Sequence, residues 1–97
     1  MEADSTTNAA LALCYANAIC TFKKTGFNSP YFNILCEESG LFYALENLYS
    51  ALNRCGNKTN WLRHNGTVVA CMNPGGERPS PGAYNEVWVA AQYGAFC

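Results

Sequence analysis

Six cysteines in 97 residues constrain this chain more than any other feature. They run Cys14-(5)-Cys20-(15)-Cys36-(18)-Cys55-(15)-Cys71-(25)-Cys97, an even number spread over the whole length, which is the distribution of a disulfide framework. Closing a loop of roughly 15 residues stabilises a fold by about 3 kcal/mol in the chain-entropy model, so three bridges rival the net stability of a domain this small. Six cysteines allow 15 connectivities and the spacing does not choose among them. A structural zinc site is the competing use of cysteine. There is no C-x-x-C pair and His64 is the only histidine, so close ligand pairs are absent and no metal or cofactor is expected. Cys97 is best used as an anchor for a chain end that would otherwise fray.

Cross-linking by disulfides places the chain outside the cell, as a secreted protein. Two acceptor sequons, Asn57-Lys58-Thr59 and Asn65-Gly66-Thr67, agree, and Asn57 and Asn65 are the glycosylation candidates. The opening Met1-Glu2-Ala3-Asp4 is acidic and the apolar stretch after it short, so the expectation is a signal peptide already removed. Residues 1–7 read as a flexible N-terminal end and residues 8–97 as a single disulfide-rich domain. Charged residues make up 13 %, about half the usual share, and net charge is −1. That balance gives no electrostatic footprint for nucleic acid or an anionic membrane, and no apolar run reaches the length of a membrane span.

Residues 8–23 are alanine-rich, with Leu11, Tyr15, Ala18, Ile19 and Phe22 at helical spacing, although 18–22 also alternates as a short strand would. Residues 23–30 read as a loop, and 31–36 as a strand or the entry to a helix. The clearest helix is expected over 39–54, where Leu41, Leu45, Leu48 and Leu52 mark one stripe and Gly56 follows as a cap. The clearest hairpin is 60–72, turning at Asn65-Gly66. A two-residue turn there sets Leu62 and His64 on one face with Thr67, Val69 and Cys71, and Trp61 and Arg63 on the other with Val68 and Ala70. Residues 73–86 form a long loop, functional or merely connecting, and 87–93 a strand. The resulting expectation is an α+β domain, helices packed on a small antiparallel sheet of three to five strands and stabilised by disulfides.

Catalytic machinery is sparse. His64 needs an acid partner to work as a general base, and Glu77, Arg78 and Glu86 are the groups available; the preferred reading is a solvent-exposed turn residue. No catalytic residue is assigned. Binding is the better expectation, through a surface formed by loops, with Lys23, Lys24, Phe27, Arg63, His64, Glu77, Arg78 and Tyr84 as the surface candidates.

The stretch Ser80-Pro81-Gly82-Ala83-Tyr84-Asn85-Glu86-Val87-Trp88-Val89 is similar to a loop-and-strand segment of small fungal guanyl-specific ribonucleases. Those enzymes use a histidine, a glutamate and an arginine, with a second histidine after this strand, where the present chain has Gln92-Tyr93-Gly94. The spacing Cys14-(5)-Cys20 with Cys36 next, and the tail of Cys71, a Pro/Gly loop, a strand and a final Cys97, resembles the killer toxins secreted by virus-infected smut fungi and their cellular relatives. That resemblance implies an α/β sandwich without enzymatic activity that inhibits competing fungi or acts on plants, with calcium uptake as the proposed target. It carries over no functional residue. Elicitins, the small sterol-binding proteins of oomycetes, share the length and the cysteine number, but their all-helical fold conflicts with the Asn65-Gly66 hairpin. The expectation is therefore a monomeric, non-catalytic toxin or host-directed effector that binds an unknown protein or cell-surface target. A ribonuclease-like protein and a small lipid or sterol carrier are the alternatives.

Overall fold

The computed structural model describes Cys14, residues 16–90 and Cys97. Among these residues eight strands follow one another: β1 (Ala18–Lys24), β2 (Asn28–Leu35), β3 (Gly40–Leu48), β4 (Ser50–Asn53), β5 (Asn60–His64), β6 (Thr67–Met72), β7 (Glu77–Arg78) and β8 (Tyr84–Val89). They form two four-stranded antiparallel sheets, ordered β2-β1-β4-β7 and β3-β8-β5-β6. No helix occurs among the described residues, so the expected α+β domain is corrected to an all-β fold. The α/β sandwich implied by the killer-toxin resemblance meets the same correction.

The predicted helix over 39–54 is instead β3, a corner at Tyr49, and β4. Its leucine stripe is scattered: Leu41 is half-buried, Leu45 is 97 % exposed, Leu48 lies in the core between the sheets, and Leu52 on the far face of the first sheet. Gly40 opens the segment with φ of 109°, outside the helical range. Pairing with a valine-rich strand on one side and with β1 on the other then overrides helix propensity. Register with β8 is lost between Tyr43 and Leu48, where Leu45 bulges outward and its backbone N–H donates to the Tyr31 hydroxyl at 3.2 Å.

Two apolar clusters hold the fold. Ile19, Ile34, Leu48, Ala51, Cys55, Leu62, Met72, Tyr84, Val87 and Val89 pack between the two sheets. Cys14, Ala18, Cys20, Phe22, Phe27 and Leu52 pack on the outer face of the first. The central strands β1 and β4 are therefore covered on both sides, and their burial shows no two-residue period. The expected helix over 8–23 lies in part outside the described residues, as does the N-terminal end 1–7; from Ala18 onward it is strand, the alternative left open for 18–22. Where β1 and β2 slip register between Cys20 and Phe22, Thr21 makes up the ladder. Its hydroxyl donates to the Phe32 carbonyl at 2.9 Å and accepts the Phe32 N–H at 3.1 Å.

The disulfides join each cysteine to the next: Cys14–Cys20, Cys36–Cys55 and Cys71–Cys97. Cys36 follows β2 and Cys55 follows β4, the two neighbours of β1, so that bridge clamps both at the start of the central strand. Buried Asn53 fastens the same region. Its amide nitrogen donates to the Lys58 carbonyl at 2.8 Å and its oxygen accepts the Cys55 N–H at 2.9 Å.

The 73–86 segment is folded against the first sheet. Asn73-Pro74-Gly75-Gly76 makes a turn with Gly75 at φ 78° and the Gly76 N–H donating to the Asn73 carbonyl at 2.8 Å; β7 then pairs with β4. The late strand begins at Tyr84, three residues before its expected start, and 91–93 lie outside the described residues.

Candidate functional site

The outward face of the second sheet carries the site. Asn65 and Gly66, at φ 49° and 89°, make the expected tight turn between β5 and β6. A bulge after Leu62 changes the expected register: Leu62 opposes Ala70 and Trp61 opposes Cys71, while Arg63 keeps Val68. Ala70 accordingly packs against the inner core rather than beside Trp61.

Strand alternation and register then align two rows across all four strands. Leu41, Trp88, Trp61 and Cys71 form one; Tyr43, Glu86, Arg63 and Val68 form the next. The intervening row, Phe42, Val87, Leu62 and Ala70, faces the core. On the outer face Tyr43 is 66 % exposed, Val68 54 % and Trp88 47 %, with Trp61 and Leu41 half-buried. Trp61, Arg63, Gly66, Val68 and Trp88 line a shallow, open depression of about 530 Å³.

Arg63 is held from three sides. Its guanidinium carbon sits 5.3 Å from the centre of the Trp88 ring, its Nη2 donates to the Gly66 carbonyl at 3.2 Å, and its Nε lies 3.4 Å from Glu86 Oε1. The last contact is an ion pair without hydrogen-bond alignment, leaving the Nε proton unmatched. Glu86 Oε1 also accepts the Gly66 N–H at 3.0 Å, and Asn85 exchanges two hydrogen bonds with Asn65, at 3.1 and 2.9 Å. The hairpin tip is thus bolted to β8. Arg63 is presented in a fixed pose, at little further entropic cost to a ligand.

The other sequence candidates do not converge here. His64 ends β5 opposite Thr67 and alternates to the side away from Arg63; among the described residues its side chain makes no hydrogen bond or ion pair. Lys23 and Lys24 end β1, where Lys23 Nζ lies 3.8 Å from Glu46 and 5.8 Å from the Tyr31 ring centre. Glu77 and Arg78 form β7 on the other sheet, and Arg78 donates twice to the Cys71 carbonyl, at 3.1 and 2.7 Å. Phe27 and Tyr84, expected as surface anchors on loops, are buried. Phe27 packs edge-on against Phe22 at 5.7 Å, and Tyr84 is wholly enclosed in the inter-sheet core. Both sequon asparagines are exposed, Asn57 in the connection between β4 and β5 and Asn65 at the hairpin tip. Among the described residues no group of three or more histidine, cysteine, aspartate or glutamate side chains could hold a metal, and no helix is long and apolar enough to cross a membrane.

The sequence sets Trp61 and Arg63 on one face with Val68 but marks neither tryptophan as a surface residue. The signal for the face was the pairing of each tryptophan with a charged residue two positions away, Arg63 on β5 and Glu86 on β8. Comparison with protein-family models, with curated proteins and with solved structures returns no significant match.

Proposed function

We propose that this chain is a secreted, non-catalytic binding protein, a toxin or host-directed effector, that engages its target through the outer face of the second sheet. Three disulfides are consistent with an oxidising, extracellular setting. The observation that carries the reading is the solvent-facing pair of rows holding Trp61, Trp88, Tyr43 and Val68 around an immobilised Arg63. Tryptophan, tyrosine and arginine are the side chains that dominate binding energy where they cluster on a rigid surface. The face belongs to a sheet rather than to loops, which keeps it pre-organised.

The ribonuclease alternative needs a histidine, a glutamate and an arginine acting together. Arg63 and Glu86 pair, but His64 alternates to the opposite side of β5. The test compares wild type, Trp88→Ala and His64→Ala for association with intact fungal and plant cells and for cleavage of RNA. The expected result is cell association reduced about tenfold or more by Trp88→Ala and untouched by His64→Ala. RNA cleavage that disappears in His64→Ala would overturn the proposal.

A further inference from the structure

We infer that the outer face of the second sheet is a site for a neutral glycan, with sugar rings stacked on Trp61 and Trp88 and their hydroxyls read by Arg63 and Glu86. The inference rests on the binding reading of the same face and names the ligand class.

Charge selects the class. Arg63 and Glu86 sit side by side as a donor and an acceptor whose charges cancel. An anionic ligand approaching Arg63 meets the Glu86 carboxylate; a cationic one approaching the indoles meets the Arg63 guanidinium, which already lies 5.3 Å from the Trp88 ring centre. The chain's net charge of −1 offers no general attraction to either. A sugar bears adjacent hydroxyls that each donate and accept, which complements a neighbouring guanidinium and carboxylate. Among the described residues only one of the five guanidinium N–H groups of Arg63 makes a hydrogen bond, to Gly66. The ring face of a sugar with equatorial substituents is a flat array of C–H bonds, apolar enough to lie on an indole.

Size and shape select the same ligand over a protein. Eight side chains form the two rows, whereas a stable protein interface engages roughly 20–30 residues a side. The depression of about 530 Å³ falls in the range of small-ligand sites, roughly 300–1,000 Å³. Trp61 and Trp88 are directly opposed on adjacent strands, so they present neighbouring aromatic surfaces along the row, suited to consecutive units of one chain.

Titration of the intact, oxidised protein with hexasaccharides of β-1,4-linked glucose, β-1,3-linked glucose and β-1,4-linked N-acetylglucosamine, and with polygalacturonate, tests this by calorimetry and by tryptophan fluorescence. At least one neutral oligosaccharide is expected to bind and to shift the fluorescence. Trp88→Ala should weaken that binding by about tenfold or more, Trp88→Phe should restore part of it, and Glu77→Ala on the other sheet should leave it unchanged. Circular dichroism confirms that each variant folds. No binding by any neutral oligosaccharide, binding indifferent to Trp88→Ala and Trp88→Phe alike, or tighter binding of polygalacturonate would each overturn the inference. If no glycan binds while Trp88→Ala still abolishes cell association, the glycan class falls and the binding face stands. If Trp88→Ala changes neither, both fall.

Discussion

Tyr84 shows what one side chain does for this fold. It is the largest fully buried side chain among the described residues, and its hydroxyl donates to the Ser50 carbonyl at 2.6 Å. Ser50 in turn accepts the Phe27 N–H at 3.0 Å and donates to the Lys24 carbonyl, so the phenol, β4 and the β1–β2 turn form one chain of contacts. Burial pushes the Tyr84 phenol well above the ordinary tyrosine range, offset in part by a backbone hydrogen bond at Phe22. The folded state therefore keeps the proton where the unfolded chain releases it. This contribution to stability is complete below about pH 10 and declines as pH rises further. Tyr84→Phe should lower stability by about 1–2 kcal/mol at pH 7, because the Ser50 carbonyl loses its donor. The gap between wild type and variant should narrow in urea titrations repeated at pH 10.5; a constant gap would contradict the account. Tyr84 and Phe27 were legible in the sequence as important aromatics but not as buried ones. Their loops fold back over the first sheet, as when the Gly26 N–H reaches the Pro79 carbonyl at 2.9 Å, and no local pattern encodes that.

The β5–β6 hairpin and the β3–β4 segment mark how far local sequence reaches. The hairpin turn was legible because Asn65-Gly66 supplies both positive φ angles locally. Gly66→Ala should cost about 1–2 kcal/mol, since an L-residue is disfavoured at that backbone angle. It should also loosen the Glu86 contact, read as a lower urea midpoint together with a shift in tryptophan fluorescence. The bulge after Leu62 was not legible, because it arises where β6 must return Ala70 and Met72 to the inner core. Even so, Trp61 and Arg63 stayed on the face expected of them: alternation along β5 does not depend on where β6 pairs. The leucine stripe misled for a physical reason. Leu48 and Leu52 are both buried, in different clusters on opposite sides of the first sheet, so the spacing that mimics one helical face serves two cores. Strands covered on both sides carry no two-residue signature with which to contest such a stripe.

At the scale of the whole molecule, the three bridges lie one after another along the chain, at separations of 6, 19 and 26 residues. Loop-closure entropy ranks them at about 2, 3 and 3.5 kcal/mol. Replacing Cys36 and Cys55 together by alanine should therefore lower the urea midpoint more than replacing Cys14 and Cys20 together, and the reverse order would show that strain or local packing outweighs chain entropy. Because each ring closes before the next begins, no covalent link crosses residues 21–35 or 56–70. A protease nick inside a ring leaves one molecule; a nick at the exposed Asn65-Gly66 tip releases two covalently separate fragments held together only by sheet pairing and packing. Trp61 and Arg63 then belong to one fragment and Val68, Glu86 and Trp88 to the other, so a single hydrolysed peptide bond divides the binding face itself.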